Sequence, residues 1–109
     1  MNLYYYLDVL FKIECNEKLE IDVYKLKQII TDCIRTLFGE VGVANPVDIL
    51  KFEETTGRII LRCFADFYVK LRASLSFGHK FGNIPYSFYV TKASASLLSL
   101  EANSKTYEF

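Results

Sequence analysis

Residues 3–13, LYYYLDVLFKI, alternate with period two, and that alternation limits the folds open to this chain more than any other feature. Leu3, Tyr5, Leu7, Val9, Phe11 and Ile13 fall on one side, while Tyr4, Tyr6, Asp8 and Lys12 fall on the other. Successive side chains of a strand point to opposite faces, so such a run belongs in a sheet with one face in a core. A sheet covered on one side by helices answers that need.

The next periodicity is helical. Asp22 is placed as an N-cap, and Val23, Leu26, Ile30, Cys33, Ile34 and Leu37 recur at helical spacing before Gly39, which stands where a C-cap glycine belongs. EVGVANP then reads as a loop, with Asn45-Pro46 as its turn signal. VDILKFE and RIILRCF flank ETTG, a hairpin whose Gly57 can take a positive φ. Asp66 is placed to cap a second helix, FYVKLRASLSF, ended by Gly78. HKFGNIP reads as a loop and YSFYVTK as a last strand, while residues 93–109 read as a short helix or a loose tail. The order βαββαβ predicts an α+β, ferredoxin-like single domain over residues 1–109. Its four-stranded antiparallel sheet would carry two helices on one face.

That order hosts many activities, so function must come from particular residues. Apolar residues make up 51% of the chain and aromatics 16%, rich enough to suggest surface that meets a partner rather than water. Thirteen basic residues balance thirteen acidic ones, which disfavours a free-standing, non-specific nucleic-acid binder. The balance is uneven along the chain: residues 58–82 carry Arg58, Arg62, Lys70, Arg72 and Lys80 against Asp66 alone. These five are the candidate RNA contacts, with Arg58 and Arg62 on the strand face opposite Cys63. Lys70 and Arg72 stand about 200° apart around an ideal helix and cannot form one tight patch. A fixed strand residue should matter more than a loop residue, so replacing Arg62 is expected to disturb assembly or RNA contact more than replacing Lys80.

Other chemistries find little support. Cys15, Cys33 and Cys63 form no CxxC pair, and with a single histidine they offer neither a disulfide framework nor a zinc site. No cofactor motif is present: neither GxGxxG nor a phosphate-binding GK[ST] loop occurs. Cys63 and His79 are the one conceivable nucleophile–base pair, yet Cys63 shares a face with Ile59 and Leu61, where a thiol is inert. RNA-recognition modules stack bases on aromatics of their two central strands. Tyr4 and Tyr6 suit that role in the first strand, whereas RIILRCF lacks the aromatic pattern such modules carry in the third. No apolar run approaches the roughly 20 residues that span a bilayer, so a soluble, intracellular protein without membrane contact is expected.

TGRIILRC followed by DFYVKLRASL resembles the strand–helix signature of the Pop-five and fourteen-kilodalton protein subunits of ribonuclease P. LFGEVGVANPVDILKFEE is closer to the fourteen-kilodalton branch, and the similarity runs from about Tyr24 to Ala102. The resemblance implies a non-catalytic subunit of nuclear and nucleolar ribonuclease P, whose RNA removes the 5′ leader of precursor tRNA. It implies ribonuclease P RNA and the Pop-five, thirty-kilodalton and forty-kilodalton subunits as partners, with precursor tRNA engaged indirectly. Protein contact is expected at Phe38, Gly39, Glu40, Val41 and Val43, where apolar residues exceed what a solvated turn needs. Two alternatives remain open from the residues themselves. One is a small-molecule-binding domain or small enzyme using Cys63 and His79; the other is an isolated RNA-recognition module.

Overall fold

In a computed structural model the alternating run forms β1, Tyr4–Ile13, and β1 becomes the centre of the sheet. The structure describes residues 3–13, 21–77, 79–81 and 84–97, with 79–81 described by backbone alone. The helix α1 covers Val23–Val43, followed by β2, Val47–Glu53, and β3, Arg58–Phe64. A 3-10 turn at Ala65–Phe67 leads into α2, Tyr68–Ser76; β4, His79–Phe81, and β5, Ile84–Ser94, complete the order.

The sheet runs β2-β3-β1-β5-β4 with every pairing antiparallel. The predicted α+β architecture is therefore present, with one addition. HKFGNIP is not all loop: His79 pairs with Tyr86, Lys80 with Pro85 and Phe81 with Ile84, making a short fifth strand at the edge. Three residues carry too little periodicity to announce a strand, and the pairing comes from the neighbouring strand. That strand is longer than YSFYVTK, starting at Ile84 and ending at Ser94. The expected helix or tail over 93–109 lies outside the described residues beyond position 97.

One face of the sheet builds the core. Leu7, Val9 and Phe11 of β1, Ile59, Leu61 and Cys63 of β3, and Tyr86 and Phe88 of β5 pack with Leu26, Ile30 and Cys33 of α1 and Leu71 and Leu75 of α2. Each fully buried Leu or Ile among them contributes about 2 kcal/mol of transfer free energy. Cys33 is the small core residue its spacing suggested, and its sulfur lies 3.3 Å from the Tyr86 hydroxyl, linking α1 to β5. The register shifts twice. Leu50 is extra between Ile49 and Lys51 of β2, and Thr91 is extra between Val90 and Lys92 of β5. Such bulges re-aim the side chains beyond them, so Phe52 and Ala93 both return to the core side.

The helix boundaries differ from expectation in two places. Asp22 caps α1 as predicted, its carboxylate accepting from the Lys25 amide at 2.8 Å. Gly39 has φ 69° and ψ −164°, yet the chain resumes helical geometry through Val43, and the Ala44 amide donates to the Glu40 carbonyl at 3.0 Å. The expected loop EVGVANP thus opens with another helical turn, set off by a glycine kink. Asp66 does not cap α2: it lies within the 3-10 turn, and neither that turn nor α2 has a side-chain cap. Phe77 is already extended after Ser76, and Gly78 lies outside the described residues.

Candidate nucleic-acid and partner interfaces

The sheet face away from the helices is set by β1 and β3. Their register places Tyr4 opposite Phe64, Tyr6 opposite Arg62, Asp8 opposite Ile60 and Leu10 opposite Arg58. Period two therefore carries Arg58, Ile60, Arg62 and Phe64 onto this outer face, as expected for the two arginines. Ile60 is only 1% exposed despite its side of the sheet, flanked in register by Asp8, Lys51, Arg58 and Arg62.

Both arginines are committed to carboxylates. Arg58 forks onto Asp8, with Nε 3.2 Å from Oδ1 and Nη2 3.0 Å from Oδ2. Asp8 is 6% exposed, so this pair neutralises a nearly buried charge. Arg62 sends Nε and Nη2 to Asp48 Oδ2 at 3.0 and 2.9 Å, and that contact holds its guanidinium firmly protonated. Neither is an unengaged phosphate contact. Asp8 and Asp48 come from strands on either side of β3, so sequence proximity gave no warning of the pairings.

The other basic candidates are scattered. Lys70 stands 5.9 Å from the Phe38 ring centroid, whereas Arg72 donates to the Tyr68 hydroxyl at 2.6 Å. Lys70 thus joins the α1 end rather than the arginine face. The Lys80 side chain lies outside the described residues, so its comparison with Arg62 stays an expectation.

The outer face also holds a residue that sequence reasoning passed over. Phe64 stacks on Tyr4 with centroids 5.5 Å apart and planes 12° from parallel. The Arg62 guanidinium carbon lies 4.8 Å from the Tyr4 ring centroid. Phe64 ends RIILRCF two residues after Arg62, so alternation alone would have set it on this face. Its pairing with Tyr4 required the register.

The partner candidates gather at the α1 kink. Val41 is 84% exposed, and Glu40 accepts from Arg35 Nε at 2.6 Å. Phe38 and Gly39 are half-buried, but Val43 packs against the core and is better explained by the fold. Leu37 adds a partly exposed apolar side chain one turn back.

The nucleophile–base idea fails on register. Cys63 pairs with Tyr5 near the start of β1, whereas His79 pairs with Tyr86, itself opposite Ile13 at the end of β1. Eight residues of strand separate them lengthwise, about 26 Å. Burial, with a lesser push from Asp66, also raises the Cys63 thiol to about 11, the reverse of activation. A cavity of about 700 Å³ lies at the other end of the sheet among Phe11, Ile13, Phe52, Gly57, Pro85 and Tyr86, away from Cys63. Among the described residues, no three His, Cys, Asp or Glu side chains converge, and no helix is long and apolar enough to cross a membrane.

Known proteins give this geometry a context. The model of the Rpp14/Pop5 family matches residues 6–104. The mouse protein named ribonuclease P protein subunit p14 is 35% identical over 102 residues, covering 94% of this chain and 83% of that protein. Its human counterpart of the same name is 35% identical over 103 residues, covering 94% and 82%. A chain in a cryo-EM structure of yeast ribonuclease MRP has the same fold, with a TM-score of 0.77 at 14% identity over 99% of this chain and 93% of that one. With the family pattern and close relatives both running along nearly its whole length, this chain belongs to the Rpp14/Pop5 family.

Proposed function

We propose that this chain is a non-catalytic protein subunit of ribonuclease P, bracing the RNA that removes the 5′ leader of precursor tRNA in the nucleus and nucleolus. The observation that carries this reading is family membership across residues 6–104, joined to 35% identity with subunits bearing the ribonuclease P name. Its partners are ribonuclease P RNA and sister protein subunits, the Pop-five, thirty-kilodalton and forty-kilodalton proteins among them; precursor tRNA is engaged through the assembly. Two features favour protein contact as the main tether. Arg58 and Arg62 spend their charge on internal carboxylates, and exposed Val41 with neighbouring Phe38 gives the α1 kink an apolar surface suited to another subunit. Gly39 and Glu40 belong to that same surface.

Affinity purification of the tagged chain from its own cells, with sequencing of the bound RNA and mass spectrometry of the bound proteins, tests the reading. Ribonuclease P RNA and sister subunits are the expected yield. Clean recovery without either would overturn it.

A further inference from the structure

The outer face of the sheet also carries an aromatic pair. Tyr4 and Phe64 come from the paired strands β1 and β3 and stand directly opposite each other in the register. Their rings lie nearly parallel, 12° apart in plane and 5.5 Å apart in centroid, at the end of the sheet where β3 leaves for the 3-10 turn. The Arg62 guanidinium, anchored by Asp48, stands against Tyr4, so this ring is contacted from the neighbouring strand. Phe64 also borders a recess of about 200 Å³, lined by Leu3, Phe64, Ala65 and Asp66. Two of these lining residues are joined by the Ala65 amide donating to the Leu3 carbonyl at 2.9 Å.

We propose that the Tyr4–Phe64 pair and this recess form a stacking site for one unpaired nucleobase of an RNA strand. The choice of RNA rests on the reading of the chain as a ribonucleoprotein subunit; the choice of a base rather than a phosphate rests on the recess. Apolar side chains and a ring offer a flat heterocycle a stacking partner, which any base can use because every base has a π-face. Among the described residues lining the recess, Asp66 is the charged one. Its carboxylate repels a phosphate but accepts from an exocyclic amine, as carboxylates do from the N4 amine of cytosine. The site therefore favours cytosine over uracil, which presents no such amine. With Arg58 and Arg62 already ion-paired, stacking rather than charge supplies the affinity, and salt dependence is shallow.

Fluorescence anisotropy of the full chain with labelled twelve-nucleotide oligocytidylate and oligouridylate tests this. Wild type is expected to bind oligocytidylate more tightly, with Phe64→Leu about tenfold weaker for it. Asp66→Asn is expected to remove the preference while keeping the binding. Phe64→Leu keeps an apolar side chain, and its thermal melt confirms folding; if it melts early, Tyr4→Leu replaces it. No saturable binding by wild type, or binding that neither ring variant changes, would overturn the site. So would loss of a sister subunit with oligonucleotide binding intact, which would make the rings a protein contact. Failure of the subunit reading appears separately, as affinity purification without ribonuclease P RNA or sister subunits while the ring-dependent binding persists.

Discussion

Arg58 and Arg62 look equivalent in RIILRCF, yet their surroundings give them different weights. Arg58 answers Asp8, a carboxylate 6% exposed on the outer face, so its removal strands a nearly buried charge. Arg62 answers Asp48 in the open, where ion pairs contribute little. Arg58→Ala should destabilise the protein by about 2 kcal/mol in urea unfolding, while Arg62→Ala should leave the midpoint nearly unchanged. The thiols make a second residue-scale prediction. Burial lifts Cys33 and Cys63 from an ordinary value near 9 to about 11, the Tyr86 contact partly offsetting the rise at Cys33. Below pH 9 both states keep these protons, so there is no penalty. Between pH 9 and 11 the unfolded chain ionises while the folded one does not, and stability falls as pH rises. Each thiol should cost about 1 kcal/mol at pH 10. Comparing urea midpoints at pH 8 and pH 10, Cys63→Ala should lose less than wild type.

At the scale of elements, two glycines in the left-handed region separate conformation from crowding. Gly57 has φ 78° in the β2–β3 turn, and a Cβ there would run into the Phe11 carbonyl; its own carbonyl accepts from the Phe11 amide at 2.8 Å. Gly39 is similarly left-handed at 69°, but a Cβ would meet nothing within 4 Å. Gly57→Ala therefore combines strain with a backbone clash and should cost about 3 kcal/mol, against about 1 kcal/mol for Gly39→Ala. Equal losses in thermal unfolding would show that backbone strain alone decides both. ETTG made the first position legible, since a four-residue turn between two strands needs a positive φ somewhere. At Gly39 the same residue preference was legible but its consequence was not. Glycine often ends a helix, and only contacts beyond it decide whether the chain turns away or resumes.

For the whole molecule, the prediction concerns assembly. Val41 lies beyond the kink at 84% exposure and outside the core, so Val41→Asp should leave the melting temperature unchanged. The same variant should reduce co-purifying sister subunits several-fold, read by quantitative mass spectrometry; undiminished recovery would remove the kink from the interface. The alternation of 3–13, the helical spacing from Val23 and the ETTG hairpin were decided by the sequence itself, because strand and helix periods are local and one chain segment displays each. The Asp22 cap was equally local. What only the tertiary structure decided involves distant segments: Asp8 with Arg58, Asp48 with Arg62, Tyr4 with Phe64, and the separation of Cys63 from His79. The β4 edge strand belongs to the same group. Strand register joins residues far apart in the chain, and a one-residue shift would send each side chain to the other face. Alternation assigns a residue to a face, but only the assembled sheet assigns its neighbour.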